Sequence, residues 1–344
     1  MSSSLPDPAA VAGTGWRLCV APMIDVTDRH CRRFHRALSP LARLYTEMLH
    51  AHAVLHGDRA RLLEYDAAEH PVALQLGGSA PDALAAAARA GEEWGYDEIN
   101  LNVGCPSERV QAGRFGACLM KEPALVAECV AAMREAVRVP VTVKCRLGVD
   151  DQDDYAVFRA FIDAVAAAGC GVFIVHARNA WLKGLSPKEN REVPPLRYDW
   201  ARRLKQERAD LVVVLNGGLA DVATIQEELA GVDGVMLGRA AWHDPYILHR
   251  LEHAINGAPL QPRAALAVGL RAYLAARQAE GDPPAALLKP LLGLFHGQPG
   301  GRAFRRVISE RAHRAEDAVA LLEAALAAAG AGEDAGAVTL SSAS

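Results

Sequence analysis

The sequence lacks several signatures that would have decided its class early. No apolar run approaches the ~20 residues a membrane-spanning helix needs, so no span is expected. The first ten residues, MSSSLPDPAA, have neither the basic start nor the apolar middle of a signal peptide. Of the seven cysteines (19, 31, 105, 118, 129, 145 and 170) no two form a CxxC pair. Zinc-site spacing is therefore missing, and an odd count argues against a disulfide framework. Reduced, mostly buried thiols of a cytoplasmic protein are expected, with no metal. There is no overall excess of basic charge: the formal net charge is −4. That argues against a globally basic nucleic-acid coat but does not exclude a local basic face. No separate dinucleotide fingerprint is found. Aromatics are scarce at 6%, whereas hydrophobic residues reach 51% of the 344, enough for a sizeable core.

A repeated rhythm runs through the middle of the chain. Short apolar runs end in Gly, Asn, His or a charge, and a helical stretch follows each. Eight strand candidates result, at 16–23, 42–49, 71–78, 98–105, 141–148, 171–178, 211–218 and 234–241. Their near-continuous apolar cores suit strands buried on both faces. Eight such units in about 240 residues favour closure into a (β/α)8 TIM barrel over an open doubly wound sheet. The rhythm stops near Pro245, and the remainder reads as helices. The expected division is a barrel over 16–245, a linker at 256–262 and a helical domain over 259–330. Disordered tails are expected at 1–15 and 331–344.

Barrel chemistry sits above the C-terminal strand ends. Those ends supply Pro22, Met23, Ile24, Glu47, Gln75, Asn102, Cys105, Lys144, Arg146, His176, Arg178, Asn216, Gly217, Gly218, Gly238 and Arg239. Taken singly, Lys144 reads as a buried ion-pair member and His176 as a core histidine. Taken together, eight polar strand ends on one rim are hard to assign to packing. The NGG and GR turns of the last two strands offer unobstructed backbone amides, the usual phosphate position of this fold. A phosphorylated ligand is expected there. A lysine beside a flat flavin ring would stabilise the negative charge of its reduced form.

Cys105 closes the strand of INLNVGCP and opens a loop carrying Arg109, Gly113, Arg114 and Gly116. The bland reading is a packing thiol. Its place at a strand-to-loop junction favours general-acid delivery of a proton, beneath a loop with Gly113 and Gly116 as hinges.

Several stretches carry a family resemblance: APMIDVTDRHCRRFHR, ALQLGG, INLNVGCPSERVQAGRFGACLM, VTVKCRLGVDDQDDY, IVHARNAWLKGLSPKENREVPPLRYDW, LNGGL and VMLGRAAWHDPYIL. They resemble the tRNA-dihydrouridine synthases, most closely the A subfamily, over roughly residues 17–325. Ile24 departs from the family's pattern, where methionine is more usual. The resemblance implies NADPH- and FMN-dependent reduction of the C5–C6 bond of D-loop uridines at positions 20 and 20a of tRNA. It implies FMN held by Pro22, Met23, Ile24, Gln75, Lys144, His176, Asn216, Gly217, Gly218, Gly238 and Arg239. Cys105 is implied as proton donor, and the target base must leave its stack. A monomer is expected.

The tRNA contacts expected are Asn102, Lys188, Arg191, Arg302, Arg305 and Arg306. Residues 245–330 hold ten Lys and Arg against seven Asp and Glu, a net of +3, while residues 1–244 carry −5. Arg302, Arg305 and Arg306 are spaced i, i+3 and i+4, and so share a helix face. Glycines 297, 300 and 301 would leave that helix's N-terminus open to a phosphate. Two competing readings remain at this level. One is a flavin barrel acting on a free pyrimidine, like a dihydroorotate dehydrogenase, and the other is an RNA-binding protein with an inert barrel.

Overall fold

The structure is a computed structural model and describes residues 15–330. Both expected tails lie outside the described residues, apart from Gly15. The chain divides into two compact units, residues 15–25 with Ala42–Gly238, and Val26–Leu41 with residues 239–330.

The first unit is a parallel barrel. Its strands are β1 (Leu18–Val20), β2 (Leu44–Tyr45), β3 (Leu49–His50), β4 (Val72–Gly77), β5 (Glu98–Val103), β6 (Val141–Cys145), β7 (Val172–His176), β8 (Val212–Asn216) and β9 (Gly234–Leu237). The sheet order runs β1-β9-β8-β7-β6-β5-β4-β2, and every pairing is parallel. A bridge between Cys19 and Arg43 joins β1 to the approach to β2, with the Val20 and Arg43 amides each donating across it at 2.9 Å. The expected eight-stranded barrel is therefore present. Its second position is split, because β2 and β3 each pair separately with β4. Between them Thr46 turns its hydroxyl to the Glu47 carbonyl and accepts the Gln75 N–H, replacing ladder bonds with side-chain bonds.

Inside, the lower barrel is filled by Trp16, Cys19, Ala21, Tyr45, Ala73, Val172, Ile174, Val212, Val214 and Met236. Strand β5 breaks this apolar rule. Successive strand residues face opposite ways, and Glu98, Asn100 and Asn102 all point inward while Ile99, Leu101 and Val103 pack outside. Helices Pro81–Trp94, Pro123–Ala136 and Tyr155–Ala167 cover the outside, the first two opening on proline at their first turn.

The second unit is helical. It contains Tyr246–Asn256, Arg263–Val268, Arg271–Ala279, Gly301–Arg311 and Ala318–Ala328, among shorter turns. The helix Arg29–Leu38, expected as a barrel helix after the first strand, groups with this unit instead. Its sequence RHCRRFHR looks basic, yet most of it is buried. Arg32 donates to the Thr27 carbonyl at 2.9 Å, and Arg36 donates to the Ser39 and Pro40 carbonyls. His35 bonds the Ala241 carbonyl at 3.1 Å. His249 links the Leu38 carbonyl to the Gln261 amide.

Burial holds the His35 pKa down at about 4, so the ring is neutral in the folded state. An ordinary histidine takes up its proton near 6.5. The unfolded chain thus binds this proton more readily, and stability falls as pH drops from 6.5 towards 4. The loss from this group alone is roughly 3 kcal/mol. Thermal unfolding of His35→Gln should be less acid-sensitive than wild type over that window. Equal sensitivity of the two would remove His35 from the acid response.

Candidate functional site

The barrel mouth is built from the C-terminal ends of seven strands, β1 and β4 to β9. Lys144 on β6 reaches across to β8, where its Nζ donates to Asn216 Oδ1 at 2.9 Å. Asn216 in turn donates to the Met236 carbonyl on β9 at 2.7 Å. Burial, assisted by Arg146, lowers the Lys144 pKa to about 7, so neutral and ammonium forms coexist near neutral pH. An anionic ligand would tip that balance towards the ammonium.

His176 ends β7 beside Asn216. Burial, with Arg146, Lys144 and Arg178 around it, pushes its pKa well down and leaves a neutral imidazole. The turn after β8 needs glycine twice: Gly217 and Gly218 have φ of +112° and +68°. A Cβ on Gly217 would lie 2.7 Å from the His176 ring, and one on Gly218 would strike Leu196. The backbone there is stripped of side chains in the cradle where a phosphate is expected. Gly238, just past β9, faces Ala21 and the Met23 sulfur and has ordinary room for a Cβ. Met23 and Pro22 are half-buried, whereas Ile24 is 54% exposed. Glu47 holds this turn by accepting the Asp25 N–H. Arg239 opens the short helix Arg239–His243 and belongs to the second unit.

On the opposite strands Gln75 and Asn102 form a pair, with Asn102 Nδ2 donating to Gln75 Oε1 at 2.9 Å. Asn102 Oδ1 accepts the backbone N–H groups of Gly104 and Cys105 at 3.2 and 3.0 Å. The Cys105 carbonyl accepts from Ala117 at 2.9 Å. Cys105 is thus pinned at both backbone ends, its half-buried thiol 3.5 Å from the Ser107 hydroxyl. The other cysteines are buried except Cys118, and among the described residues none is in a disulfide.

Two residues organise the loops around this thiol. Arg146, 3% exposed, donates to the Gly104 carbonyl at 3.1 Å and to the Asn190 carbonyl at 2.9 Å. Burial lowers its pKa to about 10, which leaves it charged at neutral pH. Gln111 Nε2 donates to both the Pro106 and Leu182 carbonyls, at 2.7 and 2.9 Å. The Cys105 loop is therefore stitched to the loop after β7. That second loop carries exposed Trp181, Lys188 and Arg191, and is folded around the buried side chain of Asn190, which brackets Trp181 from both sides.

Gly113 and Gly116 do not act as open hinges. A Cβ on Gly116, at φ +76°, would sit 2.5 Å from the Cys105 carbonyl oxygen, and one on Gly113 would enter the Phe115 ring. Close packing, not freedom to swing, requires glycine at both positions. In the second unit Arg302, Arg305 and Arg306 are all exposed on the helix Gly301–Arg311. Gly300 precedes it at φ +74°, where a Cβ would meet the Ala329 carbonyl at 2.2 Å, and Gly301 lies against the Phe295 carbonyl. These glycines also serve packing, in place of the open phosphate seat expected of them.

From the sequence Arg146 was named among the strand ends but given no role, and Gln111 was given none either. The signal for Arg146 was its position two residues after Lys144 at a strand end. Gln111 had none, because its role depends on a loop 71 residues away.

Among the described residues there is no group of three or more His, Cys, Asp or Glu placed to hold a metal ion. Nor is any helix among them long and apolar enough to cross a membrane.

The family model described as dihydrouridine synthase matches residues 19–330. The chain belongs to the dihydrouridine synthase family. The members of this family are oxidoreductases, and the match covers both units. The chain is 67% identical over 311 residues to the tRNA-dihydrouridine(20/20a) synthase of Xanthomonas campestris pv. campestris, covering 90% of this chain and 92% of the relative. It is 60% identical to the protein of the same name from Xylella fastidiosa strain Temecula1, covering 90% and 94%. For the one from Pseudomonas aeruginosa the identity is 52%, covering 93% and 98%. A 2-naphthoyl-CoA reductase complexed with 2-naphthoyl-CoA superposes with a TM-score of 0.53 at 12% identity. It covers 71% of this chain and 50% of its own, a likeness of fold alone.

Proposed function

We propose that this dihydrouridine synthase reduces the C5–C6 bond of uridines 20 and 20a in the D-loop of tRNA, with FMN as its flavin and NADPH as reductant. The observation that carries the reading is the pinned Cys105 thiol at the barrel mouth, in a chain so close to proteins named for this reaction. The residues fit a flavin phosphate. At Gly217 and Gly218 the positive φ and the close His176 and Leu196 side chains exclude any Cβ, so this turn presents bare backbone, and Lys144 keeps N–H donors beyond its bond to Asn216. Pro22, Met23, Ile24, Gln75, His176, Gly238 and Arg239 complete the proposed binding set.

When bound and reduced by NADPH, the flavin supplies hydride to C6 of the uracil. Cys105 delivers the proton to C5, so one hydride and one proton saturate the bond. The thiolate left behind lies within the electrostatic reach of Lys144 and Arg146, both of which it favours in their charged forms. Asn102 holds the thiol's own backbone still during the transfer. Lys188 and Arg191 are proposed to fix the register of the RNA beside the mouth. Arg302, Arg305 and Arg306 are proposed to hold its phosphates on the helical unit. A monomer acting in the cytoplasm, where tRNA is processed, completes the reading.

Purified protein should be yellow, with a flavin absorption band. Lys144→Ala should lose flavin or accept electrons slowly from NADPH. Normal flavin content with normal turnover would take Lys144 out of the site. The ammonium form of Lys144 prevails below about pH 7. FMN affinity should therefore weaken as pH rises, on the order of fivefold between pH 7 and 8. A flat titration over that range would show that the amine does not meet the ligand.

A further inference from the structure

A single polar chain runs up the barrel interior. Glu98, fully buried at the start of β5, accepts the Thr142 hydroxyl through Oε1 at 2.5 Å. Thr142 Oγ1 accepts from Asn100 Nδ2 at 2.8 Å, and Asn100 Oδ1 accepts from Gln75 Nε2 at 2.7 Å. Gln75 Oε1 accepts from Asn102 Nδ2 at 2.9 Å. Asn102 Oδ1 accepts the Gly104 and Cys105 backbone amides. Every donor in the chain points the same way, from Cys105 down to Glu98. All five side chains are buried, and they come from only three strands.

The direction is forced by the ends. Hydroxyls and carboxamides can reverse, since each both donates and accepts. Backbone amides cannot, so the upper end always donates. The lower end is also ringed by donors: Trp16 Nε1 at 2.7 Å, the Tyr45 hydroxyl at 2.8 Å and the Arg43 guanidinium at 3.2 Å from the Glu98 carboxylate. A reversible chain flanked by donors at both ends leaves one polar hydrogen without an acceptor unless one member accepts on every side and donates nothing. A carboxylate does this and a carboxamide does not. Glu98 is that member.

We propose that Glu98 is a positioning residue that sets the orientation of Gln75 and Asn102 and, through them, holds the Cys105 backbone in place from the far end of the barrel. Its relevance to proton delivery rests on the reading of Cys105 given above, but the ladder itself is testable without turnover. In Glu98→Gln the new amide must turn its N–H2 away from Arg43 and Trp16, towards Thr142. Thr142 meets that donor either by accepting from both neighbours, which leaves its own buried hydroxyl hydrogen without an acceptor, or by donating upward. Donation upward reverses each carboxamide, and Asn102 presents Nδ2 to the Cys105 N–H, donor against donor. The Cys105 loop is released although nothing near it has changed.

The experiment uses purified enzyme and two readouts. Amide hydrogen exchange of Gly104 and Cys105 should quicken at least tenfold in Glu98→Gln, while amides such as Val143 on the neighbouring strand stay protected. Peptide-resolved alkylation with iodoacetamide should accelerate at Cys105 but not at Cys118, the other partly accessible thiol, which serves as internal control. Thr142→Val cuts the chain, and Thr142→Ser restores it. Once the chain is cut, adding Glu98→Gln to Thr142→Val should change neither readout further, a non-additivity that marks direct coupling. Folded Glu98→Gln with wild-type exchange and alkylation at Cys105 overturns the proposal. If Glu98→Gln does not fold, Thr142 decides. Faster Cys105 exchange in Val but not Ser supports the ladder, and equal behaviour of the two overturns it. Loss of tRNA reduction with these readouts unchanged would count against the ladder, not against the proposed reaction.

Discussion

Cys105→Ala should slow oxidation of the reduced flavin by tRNA by the ~10²–10⁴ that general acid catalysis typically contributes. Binding of tRNA and reduction of the flavin both precede that step, so the variant should keep both. A thiol that only packs behaves differently. Cys105 is half-buried, its sulfur 3.5 Å from the Ser107 hydroxyl, so in a packing role truncation to alanine would cost little stability and leave the rate intact. Single-turnover reoxidation with excess unmodified tRNA separates the two. Matching rates in wild type and variant would reduce Cys105 to a packing residue.

Replacing Arg302, Arg305 and Arg306 together by alanine should weaken tRNA binding and flatten its dependence on salt. Each phosphate neutralised releases counterions and contributes about 0.7–0.9 to the logarithmic slope. Three such contacts account for a slope change of about 2–3. All three guanidinium groups are exposed on one helix, and among the described residues none of them makes an ion pair. Thermal stability and NADPH oxidation without tRNA should therefore stay as in wild type. An unchanged slope would make the trio a solvated face.

The fold was legible because the sequence repeats a local rule. Each strand is a short apolar run ended by a polar residue, and the eight runs locate all eight barrel positions. Where the rule was overridden the reading slipped. Residues 42–49 look like one strand, but Thr46 spends its hydroxyl on the Glu47 carbonyl and the Gln75 N–H of β4, Glu47 accepts the Asp25 N–H, and the strand breaks in two. The helix Arg29–Leu38 follows a barrel strand in sequence, yet its buried face, through His35, meets the Ala241 carbonyl more than 200 residues away. Adjacency in sequence gave no hint of that partner.

The site divides along the same line. Lys144, His176, Asn216 and the glycine turn stand at strand ends, and strand register alone brings them together. The supports of Cys105 were not legible in that way. Gln111 works through a carbonyl in another loop, and Arg146 clamps two loops at once. Gly116 and Gly300 invite a reading as a hinge and a phosphate seat, but a glycine's reason lies in what approaches it, and here that is backbone. Glu98, Asn100 and Asn102 did leave a trace: three polar residues at every second position of one strand, where a barrel interior is otherwise apolar.

The most direct test offers the purified protein, with NADPH, two substrates in parallel: unmodified tRNA and free uridine. The tRNA should gain two mass units at one or both of positions 20 and 20a, with one NADPH oxidised per uridine reduced, while free uridine stays unchanged. Reduction of the free pyrimidine with no mass gain on the tRNA would contradict the account and favour a small-molecule dehydrogenase built on the same barrel.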